Sequence, residues 1–259
     1  MSSSGGLATE RIPSGAFWQL VRFEGKMALR EPIGIIFGLA LPVFLLGVFA
    51  SIPYMSSHIV PGTNLTDFEV YLPILIVTVL LMVTLLGLPI PLARDRELGW
   101  LRRFSTTPAP PSMLLGAQVA VNLVVAAIAI GILLVGSVVV FGVSVPHQLG
   151  GFVLGVMLGT AAMFVMGLLV AAISPSEKSA AGIAQSLLYP LLFLAGAYLP
   201  TEYLPGWLQT VSNLSPVGAA RQAMTDAMQG TFPTILSLGV LVAYIGVLGY
   251  LAVRLFRWE

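Results

Sequence analysis

The sequence predicts an all-α polytopic membrane protein. It has six transmembrane helices, an N-terminal amphipathic interfacial helix, and short external re-entrant helices between the fifth and sixth spans. Three observations carry that prediction. Hydrophobic residues make up 57% of the 259 and charged residues only 9%, at a mean hydropathy of +0.96, whereas about a quarter of a soluble domain is charged. Apolar stretches of roughly 20 residues recur, the length that crosses a bilayer core of about 30 Å. The charges are confined to short segments between those stretches, so the net charge of +1 gives no sign of nucleic-acid binding.

Residues 1–13 read as a disordered cytoplasmic tail, Ser/Gly-rich from Met1 to Thr9. They lack the apolar core and small-residue cleavage site of a secretory signal. A single transmembrane domain is expected over 14–259, opening with a helix over 14–30 that Ser14 can cap. On a helical wheel Phe17, Trp18, Leu20, Val21, Met27 and Ala28 share one face, and Gln19, Arg22, Lys26 and Arg30 the other. That division suits a helix lying in the membrane interface. Glu24 falls on the apolar face. It either snorkels to the headgroups or pairs with an arginine of the segment 94–103.

The six spans are expected at about 32–53, 70–92, 112–141, 149–173, 180–199 and 232–253, the third long enough to tilt or project. Of the 12 Lys and Arg, 11 fall in the segments that this threading puts on one side, and Arg221 alone falls on the other. The positive-inside rule then places both termini in the cytoplasm. Pro42, Pro73, Pro89 and Pro190 each free a carbonyl within a span. Gly151, Gly155 and Gly159 form a ladder of small residues that lets another backbone approach closely, within the subunit or across a subunit interface.

Residues 201–230 are too polar and interrupted for a seventh span, yet two runs keep helical spacing. Leu204, Trp207, Leu208 and Val211 form one; Val217, Ala220, Met224 and Met228 form the other, after the Ser215-Pro216 break. Two short helices dipping into the outer leaflet are expected, with Arg221 and Asp226 as a surface pair of little energetic weight.

Most enzyme chemistries are excluded by inventory. The two histidines, His58 and His147, lie in expected external loops, and there is no cysteine. No helix-borne Ser-His dyad, HExxH zinc site or thiolate nucleophile is therefore available. No GxxxxGK[ST] phosphate loop is present, and neither Lys26 nor Lys178 sits in a glycine-rich turn. No acid or base lies near a span centre, which disfavours a proton- or ion-coupled carrier. The inward polar candidates are Thr78, Thr84, Asn122, Gln185, Ser186 and Tyr189, serving interhelical hydrogen bonds or lining a substrate path.

Energy must then come from elsewhere, which directs attention to the charged island Arg94 to Ser112. Arg94, Arg96, Arg102 and Arg103 surround Asp95 and Glu97, and Thr107-Pro108-Ala109-Pro110-Pro111 ends any helix. The plain reading is a solvated, positive-inside anchor. The functional one is a short helix docked into a cytosolic protein, with Glu97, Leu98, Gly99, Leu101 and Phe104 mixing an acid, apolar knobs and a glycine for close approach.

Two motifs extend this. One is Arg96-Glu97-x-Gly99-x-Leu101, followed by Thr107-Pro108. The other runs Tyr189-Pro190-Leu191-Leu192-Phe193-Leu194-Ala195-Gly196-Ala197-Tyr198-Leu199-Pro200, with Leu204-Pro205-x-Trp207-Leu208 and Asn213-x-x-Pro216 after it. In this order and topology the sequence resembles the membrane subunits of ABC-2-type transporters (type V exporter fold), near the daunorubicin/doxorubicin-exporter and nodulation-exporter permeases. The likeness covers nearly the whole chain.

The resemblance implies a permease that binds no cofactor itself. ATP and Mg would sit on a separate cytosolic ABC ATPase present in two copies, beside a second permease copy forming a homodimer. The coupling loop 94–111, with Arg94, Arg96, Glu97, Leu98, Gly99, Leu101, Arg102 and Phe104, would seat in the ATPase. The connecting helix 14–30, with Phe17, Trp18 and Glu24, would lie beside it. Thr78, Thr84, Asn122, Gln185 and Tyr189 would line the path of a small amphiphilic substrate. Trp207, Asn213, Pro216 and Arg221 would belong to the external helices that cap it. Export of drugs, antibiotics or lipid-like molecules is expected; alternatives are export of polysaccharide or lipid-linked glycan, a non-transport membrane scaffold or sensor, and an intramembrane enzyme. One departure, Ala195 where relatives often carry serine, argues against borrowing a substrate.

Overall fold

A computed structural model describes residues 15–30, 40–52, 54, 58–59, 65–99, 111–143 and 145–256. These form helices α1 (Ala16–Arg30), α2 (Leu41–Ala50), α3 (Asp67–Gly87), α4 (Pro89–Glu97), α5 (Pro111–Phe141), α6 (Leu149–Ile173) and α7 (Glu177–Leu194). A 3₁₀ turn (Thr201–Tyr203) precedes α8 (Gly206–Leu214), α9 (Pro216–Met228) and α10 (Ile235–Leu255).

Helix α3 is the centre of the bundle, with α5, α6, α7 and α9 packed around it. It starts on a reciprocal cap. Thr66 Oγ1 accepts from the Glu69 amide at 3.3 Å and Glu69 Oε2 accepts from the Thr66 amide at 2.8 Å. Beyond that cap nearly every residue to Leu85 is buried. A helix apolar on all sides is stable only when enclosed or in lipid.

The glycine ladder packs within the subunit. On α6, a Cβ added to Gly155 would meet Ala223 and Met224, and one at Gly159 would stand 2.9 Å from the Ala220 Cβ. Gly151 similarly faces Pro233 and Ala227. Helix α9 contributes an alanine ridge to that groove, small residues on both sides allowing close van der Waals contact.

This packing corrects the reading of 201–230. Two short helices form there, but α9 is enclosed by α3, α6 and α10 and is buried almost throughout. Arg221 is 5% exposed and Asp226 7%. They do not form the expected surface pair. The Asp226 carboxylate accepts from Gln222 Nε2 at 2.8 Å and from the Thr234 amide, where α10 begins, at 3.1 Å. Arg221 Nη2 donates to Asn213 Oδ1 at 3.5 Å. The α8–α9 turn has a local cause: Ser215 accepts from the Gly218 amide at 3.1 Å, and Pro216 takes the first helical position, where no amide is needed.

Among the described residues four helices are long and apolar enough to cross a membrane: Asp67–Glu97 counted through α4, Met113–Phe141, Leu149–Ile173 and Ile235–Leu255. The expected first span falls partly outside the described residues, with α2 as its visible part. The expected fifth span is α7, an 18-residue helix with Glu177, Lys178, Gln185 and Ser186 along its length and Pro190 within it. Its end obeys a simple rule: Gly196, at φ 86°, closes α7 as the Ala197 amide donates to Leu192 O and the Gly196 amide to Phe193 O, each at 3.0 Å.

Candidate functional site

The charged island begins in α4, and α4 exists because α3 breaks. Pro91 has no amide, so the Gly87 carbonyl four residues back loses its helical partner. Asn122 of α5 covers that loss. Its Nδ2 donates to Gly87 O at 3.4 Å and to Gln118 O at 3.0 Å. Gly87 leaves room for it, since a Cβ there would run into the Asn122 side chain. Asn122, expected as a path residue or a packing group, therefore sits at the helix break.

Beyond the break Asp95, Arg96 and Glu97 of α4 each take a different element. Asp95 Oδ2 accepts from Gln118 Nε2 of α5 at 3.0 Å. Arg96 Nη1 donates to Ala171 O at 3.1 Å and Ser174 O at 2.8 Å, the carbonyls that end α6. Its guanidinium also lies 5.1 Å from the centre of the Phe256 ring, just after α10. Glu97 Oε2 accepts from the Glu177 amide at 3.0 Å, the first amide of α7.

Each charge matches the helix end it meets. A cation suits the carbonyl-rich terminus of α6 and an anion suits the amide-rich start of α7. Ser176 completes that start by accepting from the Ser179 amide at 3.2 Å. The consequence is mechanical: the end of α4 is tied to the α6–α7 turn, so displacement of one moves the other.

At Gly99 nothing in the described structure lies near where its Cβ would be, and its φ is +70°. It ends α4 in the left-handed conformation, its amide donating to Arg96 O at 3.0 Å. Leu98 is exposed beside it. Leu101, Arg102 and Phe104 lie outside the described residues.

Helix α1 packs along α5. Phe17 stands over Gly116, Trp18 faces outward, and the two rings meet edge-on at 5.8 Å. Glu24 and Arg94 line one cleft together with Asp95 and Gln118.

The remaining path candidates divide. Thr78 and Thr84 are buried and spend their hydroxyls on their own helix, on Ile74 O at 2.8 Å and Leu80 O at 2.7 Å. Gln185 and Tyr189 lie on the outward face of α7, Tyr189 being 59% exposed. Trp207 is exposed on α8, while Asn213 holds Arg221 and Pro216 is buried at the start of α9.

Sequence reading passed over Ser174, Ser176, Gln118 and Phe256. Only Ser176 had a usable signal, a serine before Glu177 at the head of a helical stretch.

Comparison with known proteins adds the lineage. A stretch of 118 residues, 42% of this chain, is 30% identical to a daunorubicin resistance ABC transporter permease protein of Streptomyces coeruleorubidus, and covers 41% of that relative's length. Over 228 residues, 86% of this chain and 89% of the relative, it is 24% identical to the inferred transport permease YvfS of Bacillus subtilis (strain 168). The model of the ABC-2 type transporter family matches residues 15–228. With that match running from α1 through α9, the chain belongs to the ABC-2 type transporter family.

Proposed function

We propose that this chain is the membrane subunit of an ATP-driven exporter that moves an amphiphilic molecule outward across a bacterial plasma membrane. Two copies would form the path, and two copies of a cytosolic ABC ATPase, carrying ATP and Mg, would drive it. Six spans with both termini in the cytoplasm fit this reading, α2 belonging to the first and α7 to the fifth. The relative named for daunorubicin resistance supports a drug-like substrate.

The observation that carries the proposal is the bond set of Arg96 and Glu97. A segment that receives a push from an ATPase must be rigidly joined to helices that reshape the path. Here Arg96 holds the end of α6 and Glu97 the start of α7. Gln185 and Tyr189 project outward from α7, where a second copy would enclose them. Leu98, exposed at the tip, is the apolar knob left for the ATPase.

Affinity purification of the chain from its native membrane in mild detergent tests the reading. Recovery of a stoichiometric ABC ATPase, lost on Leu98→Asp with the chain still inserted, is the expected result. A clean preparation without any ATPase would overturn it.

A further inference from the structure

Helix α1 turns much of its apolar face inward: Phe17, Leu20, Val21 and Ala28 are partly buried where it packs along α5. Outward it presents two parallel stripes. Trp18, Arg22 and Lys26 follow one another at intervals of four residues, and Gln19, Phe23 and Met27 do the same beside them; all six are exposed. Residues four apart are neighbours on a helix surface, with Cβ atoms about 5–6 Å apart. One stripe is therefore cationic and the other largely apolar.

The cationic stripe is unbalanced. Arg22 and Lys26 make no ion pair or hydrogen bond among the described residues, and like charges one turn apart repel. Glu24, the one acid of α1, lines an inner cleft with Arg94 and Asp95 instead. An anion between the two cations would relieve the repulsion. Depth indicates what carries it. Helix α3 has 21 residues, about 31 Å at 1.5 Å per residue, which matches the thickness of a bilayer core. Its Asp67 end then marks one membrane face and Gly87 the other. Phe23 and Met27 line the same cleft as Gly87, which sets α1 at the headgroup layer on that side. There an apolar stripe meets the acyl boundary and a cationic stripe meets phosphates.

We propose that the outward face of α1 is a binding surface for anionic phospholipid. Arg22 and Lys26 close on one phosphate, and Phe23 and Met27 cover the first methylenes of the acyl chains. A zwitterionic headgroup satisfies the pair less well, because it brings a cation of its own. The surface belongs to the chain by itself and does not rest on the exporter reading, since it is measured without an ATPase.

The test titrates the purified full chain in dodecyl maltoside with phosphatidylglycerol at constant total lipid, phosphatidylcholine making up the balance, and follows the thermal unfolding midpoint. A saturable rise with the phosphatidylglycerol fraction is expected, smaller in high salt. Arg22→Gln and Lys26→Gln should each weaken the apparent affinity about fivefold, and Arg22→Lys should retain most of it. Both side chains are exposed, so the variants should unfold like the native chain in phosphatidylcholine alone. A midpoint that ignores the phosphatidylglycerol fraction, or a double Arg22→Gln, Lys26→Gln variant that responds as the native chain does, would overturn the surface. An equal saturable rise with inorganic phosphate would overturn it as a lipid site. Should the double variant keep the lipid response yet lose a copurified protein, the face belongs to an acidic protein partner instead.

Discussion

Arg96 and Glu97, neighbours in the chain, grip opposite sides of a single turn. Arg96 takes the last carbonyls of α6 and Glu97 the first amide of α7. The two charges complement the two helix ends they meet, so each bond is stronger than its neutral counterpart. Exchanging them would set both against the dipoles. Their order is thus a structural requirement and not only a pattern of the motif.

Arg96 has the larger share in stability. Arg96→Ala removes two charge-assisted bonds and the contact with the Phe256 ring, a loss of roughly 1.5–3 kcal/mol. Arg96→Lys should recover only part of it: an ammonium can donate to both carbonyls as Nη1 does, but it loses the contact of the planar guanidinium with the Phe256 ring. Thermal unfolding of the purified variants in one detergent gives the ranking. A lysine variant as stable as the native chain would show that the ring contact contributes nothing, and an alanine variant as stable would refute the bridging role.

Glu97 and Gly99 should matter to coupling more than to folding. Glu97 is exposed, so Glu97→Arg is expected to cost only about 0.3–1 kcal/mol through the α7 dipole. It should nonetheless abolish transport and substrate-stimulated ATP hydrolysis in the reconstituted complex while leaving insertion intact. Gly99→Val forces a branched residue into a left-handed conformation, about 1–2 kcal/mol of strain, and should uncouple similarly. Gly99→Asn should retain more activity, since asparagine visits that region. Full stimulation by both Glu97→Arg and Gly99→Val would exclude this segment from coupling.

How much of this was legible depended on where the partner atoms lie. Gly99 and Gly196 obey a local rule, glycine just past a helix end, and a sequence reader can apply it. The small-residue ladder on α6 was equally plain, though only the structure assigns its partner, α9. Arg96 and Glu97 were visible as a motif, yet their partners were not. Ala171 O, Ser174 O and the Glu177 amide are backbone atoms 75–80 residues away, and backbone groups leave no trace in side-chain identity. The burial of α9 was hidden for a different reason. Alanine and glycine make it look weakly apolar, and Arg221 and Asp226 suggest water, whereas tight packing and hydrogen bonds to Asn213, Gln222 and Thr234 accommodate it inside.

The α6–α9 contact is correspondingly intolerant of added volume. Gly159→Ala places a methyl 2.9 Å from the Ala220 Cβ, and neither backbone can retreat without disturbing α3. A loss of about 1–3 kcal/mol is expected. Gly246→Ala on α10 meets nothing within 4 Å and should be neutral or stabilising by up to about 1 kcal/mol. Paired unfolding measurements separate the two, and equal effects would mean that the ladder is not the close contact described.

The last relationship to test is the repair of the α3–α4 break. Pro91 deprives the Gly87 carbonyl of its partner and Asn122 replaces it. Asn122→Leu should therefore cost about 1–2 kcal/mol in the native background, where a part-buried carbonyl is left unpaired. In a Pro91→Ala background an amide returns at position 91 and can bond Gly87 O within the helix, so the same Asn122→Leu change should cost less. A double-mutant cycle on unfolding free energies should give a coupling of about 0.5–1.5 kcal/mol between residues on different helices. Pro89 stays at the start of α4 in both backgrounds, so the cycle reads the pairing of the Gly87 carbonyl and not a straightened helix. Strict additivity would show that the break does not need Asn122.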